Sequence, residues 1–160
     1  MTLGKDYQLF RDPPYGHLLQ VMTLSKVAWD ANFDPSEIFE NDPECLYALQ
    51  GEEVIGHVFW YWDEFHGVYV IPEIVVSPLC RKSRVGHTLL TAALESMRKD
   101  VPSAEVTLIV GTQWEPAVAL YQLLGFSISN TIINYYGPGQ DVYAMKKSFK
   151  VPTHQRGRRE

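Results

Sequence analysis

Ile74-Val75-Val76-Ser77-Pro78, followed closely by Arg81-Lys82-Ser83-Arg84-Val85-Gly86-His87 and the apolar Thr88-Leu89-Leu90, is the stretch that decides the fold. The β-branched run predicts a strand, the basic residues a turn, and the apolar run the start of a helix. In this order several backbone N–H groups and the positive end of a helix dipole point at one place. Such a place holds phosphate without a dedicated side chain. A phosphorylated cofactor is therefore expected against residues 81–87.

A second informative segment lies about thirty residues further on. The apolar strand Val106-Thr107-Leu108-Ile109-Val110 precedes Ala117-Val118-Ala119-Leu120-Tyr121-Gln122-Leu123-Leu124-Gly125-Phe126. Pro116 suits a first helical turn and Gly125 a helix C-terminus. The two segments, in this order, resemble the two signatures of the GNAT superfamily of acyl-CoA-dependent N-acetyltransferases. The first signature is Val-x-Pro, then Arg/Gln-x-x-Gly-x-Gly/Ala and a helix; the second is Ala-x-x-Leu-Tyr-x-x-Leu-Gly-Phe. This chain departs twice. Arg84 stands at the first glycine, where it keeps a backbone N–H and adds charge but lacks glycine's freedom at positive φ. Trp114 stands where the family usually carries Asn, which removes a side-chain amide contact to the cofactor.

The resemblance implies an α/β fold: a mixed, partly antiparallel sheet of about six or seven strands with flanking helices and a splayed central parallel pair. It implies acetyl-CoA as cofactor, held by Ile74, Val75, Val76, Arg81, Lys82, Ser83, Arg84, Val85, Gly86, His87, Trp114 and Tyr121.

Composition fits that size. At 160 residues, 46% hydrophobic and 21% charged, the chain can bury a real core. Residues 1–150 are expected to form one domain and residues 151–160 a basic, mobile tail. No apolar run approaches a membrane span, and the N-terminus lacks a signal-peptide core, so no membrane partner and a cytoplasmic location are expected. Cys45 and Cys80 match no metal-ligand spacing and read as free thiols, with no metal implied. The net charge is −5, yet residues 146–160 carry a local +5, leaving −10 for the remainder. An acidic body argues against nucleic acid and suits an amine-bearing acceptor, or simply serves solubility. Monomer and homodimer both remain open.

Along the chain, a strand is expected near Tyr7–Phe10 and a helix from about Tyr15 to Trp29, with Leu18, Leu19, Met22, Ser25, Val27 and Trp29 as its stripe. Asp34-Pro35-Ser36-Glu37 reads as a second helix start. Strands follow at 46–50, 54–62 and 68–76, a helix over 84–99, a strand over 105–110, a helix over 115–124, and strands near 127–135 and 141–148. Strands before, between and after helices require a mixed sheet, with its parallel pair around the 84–99 helix.

The chemistry the resemblance implies is direct attack of an amine on a thioester. An alkyl amine has a pKa near ~10.4 and is mostly protonated at neutral pH, so a base is required. Glu73 stands where many family members carry an acidic residue and is the candidate general base, directly or through water. Apolar neighbours are expected to raise its pKa; the plainer alternative is a surface glutamate paired with Lys or Arg. Pro72 cannot donate a ladder hydrogen bond and is expected to interrupt pairing just before Glu73. In the family a bulge here frees backbone groups, so the N–H of Val76, with Val75, is the implied oxyanion donor.

Tyr121 is the implied general acid for the departing thiolate, against the alternative of simple packing beside Leu120, Leu123 and Leu124. His57, His66 and His87 form no nucleophile arrangement in the sequence. The segment 134–147, with Tyr135-Tyr136 and Gly139-Gln140-Asp141-Val142-Tyr143-Ala144-Met145-Lys146, is similar to the closing hairpin of relatives that acetylate protein N-terminal amines. Tyr135 and Tyr136 are thus candidate substrate contacts, while small-molecule amines stay open as acceptors. Phe59-Trp60-Tyr61-Trp62 either lines an acceptor pocket or faces the helices. A catalytically silent acyl-CoA-binding module, motivated by Arg84 and Trp114, is the alternative function.

Overall fold

The computed structural model describes residues 6–29 and 34–149. The basic tail predicted over 151–160 lies outside the described residues. The strands are β1 (Gln8–Arg11), β2 (Glu44–Gln50), β3 (Glu53–Asp63), β4 (Val68–Val76), β5 (Glu105–Gly111), β6 (Ser127–Ile132) and β7 (Val142–Ser148). The α-helices are α1 (Tyr15–Ala28), α2 (Val85–Asp100) and α3 (Glu115–Leu123), and 3-10 helices span Pro35–Asn41 and Pro78–Ser83. One seven-stranded sheet results, in the order β1-β2-β3-β4-β5-β7-β6. It is mixed, with β4 and β5 as the parallel pair that the sequence predicts around α2. No helix among the described residues is long and apolar enough to cross a membrane.

Two compact units carry these elements. The first holds the described residues of 6–62 and residues 70–95. There β1 pairs antiparallel with β2, and β2 with β3, with a bulge between Ala48 and Leu49. Val54 to Trp60 are buried at every position, so β3 is covered on both faces. Phe59 and Trp60 are core, and only Trp62 of that aromatic run is substantially exposed. Val21, Ile38, Cys45, Tyr47, Val54 and Phe59 form one cluster, with Leu24 and Leu49 against it.

The buried face of α1 is Val21 and Ser25, four apart as a helix requires. Leu19, Val27 and Trp29, expected on the inner stripe, are exposed. α2 shows a cleaner period, burying Val85, Leu89, Leu90, Ala93, Leu94 and Met97. Its first turn lies close on the sheet because Gly56 has no side chain. A Cβ there would stand 3.1 Å from Leu89 Cδ1, 3.1 Å from the Val75 carbonyl and 3.2 Å from Val85 Cγ1. β4 spans Val68–Val76 with Pro72 inside it, and the following Ser77 N–H donates to the Ile55 carbonyl at 2.8 Å.

The second unit holds residues 63–69 and, of the described residues, 96–149. β7 pairs antiparallel with β5 on one side and β6 on the other. α3 ends as its sequence predicts: Gly125, at φ 98°, takes the left-handed turn that follows a helix. Val118 and Tyr121 are its buried residues. Leu123, read as core, is exposed.

Candidate active site

Alternation along β4 decides which side chains share a face. Tyr69, Ile71, Glu73 and Val75 are buried, while Val70, Pro72, Ile74 and Val76 are half-buried on the other face. Glu73 thus lies on the buried face of β4, with a side chain only 1% exposed. An ionised carboxylate in such a place costs several kcal/mol unless donors surround it.

Three donors do. Ser25 Oγ, from α1, donates to Glu73 Oε2. His57 Nε2, from β3, lies 2.5 Å from the same oxygen. Trp29 Nε1, just past the end of α1, donates to Oε1 at 2.9 Å. Burial pushes the Glu73 carboxyl upward, but the His57 hydrogen bond and charge, then Ser25 and Trp29, outweigh it and hold it below its ordinary value. The expected upward shift is therefore reversed, because the apolar flanks seen in sequence are strand neighbours rather than the groups that touch the carboxylate. Pairing with a surface Lys or Arg is likewise not what the structure shows.

Ser25 Oγ also lies 3.2 Å from His57 Nε2, which invites comparison with a Ser-His-Glu nucleophile. The geometry excludes it. In such a triad one ring nitrogen takes the serine proton while the other is held by the acid. Here serine and glutamate both meet Nε2, and His57 Nδ1 is buried without a hydrogen-bond partner. Neither thiol offers a nucleophile. Cys45 and Cys80 are free and buried; burial, helped by Asp12 and Glu73, pushes Cys45 up to about 12, and burial raises Cys80. Among the described residues no acidic, His or Cys cluster could hold a metal.

In the same unit, the residues after β4 form the segment where the sequence leads one to expect a phosphate cradle. Arg81, Lys82 and Ser83 lie in the 3-10 helix over 78–83 and Val85, Gly86 and His87 form the first turn of α2. The first helical bond is Thr88 N–H to the Arg84 carbonyl at 3.0 Å, so the N–H groups of Val85, Gly86 and His87 have no partner within the helix. Arg81 and Arg84 are exposed beside them. Arg84 sits at φ 68°, ψ 15°, left-handed. The non-glycine residue adopts the conformation a glycine would, and the loop keeps its turn at the cost of some backbone strain. These unpaired donors and two cations fit a diphosphate. Ser83 Oγ is turned to the Cys80 carbonyl, 2.5 Å away, within its own turn.

Trp114, Tyr121, Tyr135 and Tyr136 belong to the second unit. Trp114 is the residue before α3, and its indole lies over Gly111, where a Cβ would come within 2.6 Å of its Cδ1. Tyr121 is buried, edge-on to Phe126 with ring centroids 5.9 Å apart, and burial drives its hydroxyl pKa well upward. Tyr135 and Tyr136 are about half-exposed and meet at 4.8 Å, edge to face. Their loop is held by side chains of its own: Asn134 N–H donates to Asp141 Oδ1 at 2.8 Å and Gly139 N–H to Asn134 Oδ1 at 2.8 Å.

His57, Ser25 and Trp29 are the site residues that sequence reasoning missed. The one available signal was a histidine inside the apolar strand Val54–Trp60, which needs a polar partner when buried.

The site thus joins a buried carboxylate on a strand to a helix whose first N–H groups lack partners within the helix. The comparisons name the family. The Acetyltransferase (GNAT) family matches residues 7–126, and the chain belongs to it. A relative described as N-alpha-acetyltransferase, from Saccharolobus solfataricus, is 34% identical over 90% of this chain and 94% of its own length. One with the same description from Sulfurisphaera tokodaii is 27% identical over 89% and 93%. Among solved structures, Arabidopsis thaliana Naa50 in complex with the bisubstrate analogue CoA-Ac-MVNAL superposes with a TM-score of 0.76 at 23% identity, covering 89% of this chain and 99% of that one. The chain is an acetyl-CoA-dependent N-acetyltransferase.

Proposed function

We propose that the acceptor is the α-amine of a peptide or protein N-terminus, with Glu73 as its general base. The observation that carries this is the three-donor cage around Glu73. A carboxylate held below its ordinary pKa is a weak base. An alkyl ammonium near pKa ~10.4 is a poor partner for it, whereas an α-ammonium near ~7.7–8.0 is already partly deprotonated at neutral pH. The difference of about 2.5 units corresponds to roughly 3.4 kcal/mol in favour of the α-amine. The N-alpha-acetyltransferase relatives and the exposed Tyr135–Tyr136 pair, suited to flank an extended peptide, support the same choice.

Acetyl-CoA supplies an acyl thioester that an unprotonated amine can attack. The chain's own residues do the rest. The free N–H groups at Val85, Gly86 and His87, with Arg81, Lys82 and Arg84, bind phosphate. We assign the backbone N–H of Val76, with Val75, to the developing oxyanion and Ile74 to the cofactor's edge. Glu73 accepts the amine proton. Tyr121 is better suited to donating a hydrogen bond to sulfur than to full proton transfer, since a thiolate near pKa ~8.5 cannot readily deprotonate a phenol already above ~10. Two unpaired cysteines suit a reducing compartment such as the cytoplasm.

Glu73→Gln tests the base. Turnover should fall roughly 10²- to 10⁴-fold with acetyl-CoA affinity retained, read by CoA release and calorimetric titration. Turnover within threefold of the parent would assign Glu73 to structure.

A further inference from the structure

Each oxygen of an ionised carboxylate has about two acceptor positions. Glu73 Oε2 receives both Ser25 Oγ and His57 Nε2 and is filled. Among the described residues Oε1 receives Trp29 Nε1 alone, which leaves one acceptor position. The two oxygens are therefore unequal, and what makes them so is His57 on β3 together with Ser25 on α1.

We propose that His57 is the positioning residue of Glu73: its Nε2–H and the Ser25 hydroxyl fill Oε2, so that Oε1, on the Trp29 side, is the atom that meets the acceptor amine. The proposal rests on Glu73 being the base. Because a carboxylate only accepts, His57 Nε2 must carry the hydrogen. Its own orientation is set by packing, with the Phe59 ring 5.3 Å away and edge-on. The other polar neighbours are accounted for. Cys45 on β2 feels Glu73 but stays protonated. Tyr47, opposite His57 in the β2–β3 register, spends its hydroxyl on His17 Nδ1 at 2.9 Å. Trp29, 37% exposed, is the neighbour of Glu73 that reaches solvent. In the productive step the amine N–H bond breaks, its proton goes to Oε1, and His57 keeps its own proton throughout.

Two variants and two readouts test this. His57→Leu removes the donor; His57→Gln restores an N–H on a side chain of similar reach. The parent should show no acidic limb in kcat/KM above pH 4.5, the ordinary glutamate value, beyond that of the amine itself. His57→Leu should bring in such a limb, moved upward because burial is then opposed by Ser25 and Trp29 alone, with acetyl-CoA affinity unchanged. His57→Gln should return the profile toward the parent. Difference infrared spectroscopy of the same proteins with and without Glu73→Gln reads the protonated carboxyl directly: it should be absent in the parent at pH 6 and present in His57→Leu. An unmoved limb and no carboxylic acid band in folded His57→Leu would overturn the proposal. Should His57→Leu not fold, an unshifted profile and band in folded Ser25→Ala together with an unrescued His57→Gln would overturn it equally. Parental turnover in Glu73→Gln would instead remove the base reading, while the infrared band still decides what His57 does to Glu73.

Discussion

At the residue scale, the chain places charge and strain together in the proposed phosphate loop. Arg84 occupies a left-handed conformation at φ 68°, which costs an L-residue roughly 1–2 kcal/mol. Arg84→Gly should therefore leave the melting temperature unchanged or slightly raised, since relief of strain is partly offset by glycine's greater freedom in the unfolded chain. Arg84→Val, β-branched, should lower it and weaken CoA binding; a thermal melt ranking Val above Arg would contradict the assigned backbone. Tyr121→Phe keeps the ring against Phe126. If the hydroxyl donates to a charged sulfur, the chemical step should slow by roughly ten- to a hundredfold, the worth of a hydrogen bond to a charged group, in single-turnover kinetics and with little change in cofactor affinity. Glu73 also makes stability depend on pH. Its folded pKa is depressed, so its contribution is full above the unfolded value near 4.5 and is lost as pH falls below it. Melting curves between pH 6 and 3 should show a drop that is smaller in Glu73→Gln.

At the scale of elements, most of the architecture was legible because it follows from local pattern. β-branched runs bounded by Gly51 and Gly67 turns marked β3 and β4, and the spacing of Val85, Leu89, Ala93 and Met97 marked α2. α1 was misread where amphipathicity is weak, so that Leu19 and Val27 were given to the core that Val21 and Ser25 occupy. The Glu73 cage could not be read at all. Its members stand 16, 44 and 48 positions from Glu73 along the chain, and only the tertiary placement of α1 and β3 brings them to one carboxylate. The close seat of α2 on the sheet was equally hidden, since Gly56 in a strand reads as a weak position. Gly56→Val should push the first turn of α2 outward against Leu89 and Val85. A cost of about 1–3 kcal/mol is expected for such overpacking, together with weaker CoA binding; a variant of parental stability and affinity would contradict the packing described.

At the scale of the whole molecule, the account joins a phosphate-binding helix terminus to a weak buried base and derives the acceptor from the pairing. Binding of acetyl-CoA should stabilise the native state by about 2.7 kcal/mol at a hundredfold excess over Kd, visible as a thermal shift. The acceptor itself is tested most directly by offering the protein acetyl-CoA and two peptides of the same sequence. One has a free α-amine and its lysine blocked; the other has its α-amine blocked and a free lysine. Product is located by tandem mass spectrometry. The account predicts acetylation at the α-amine of the first peptide, at a rate at least a hundredfold above any at the lysine of the second, as the ~2.5-unit gap between the two amines requires for a base this weak. Equal rates at the two amines, or modification at lysine alone, would contradict it.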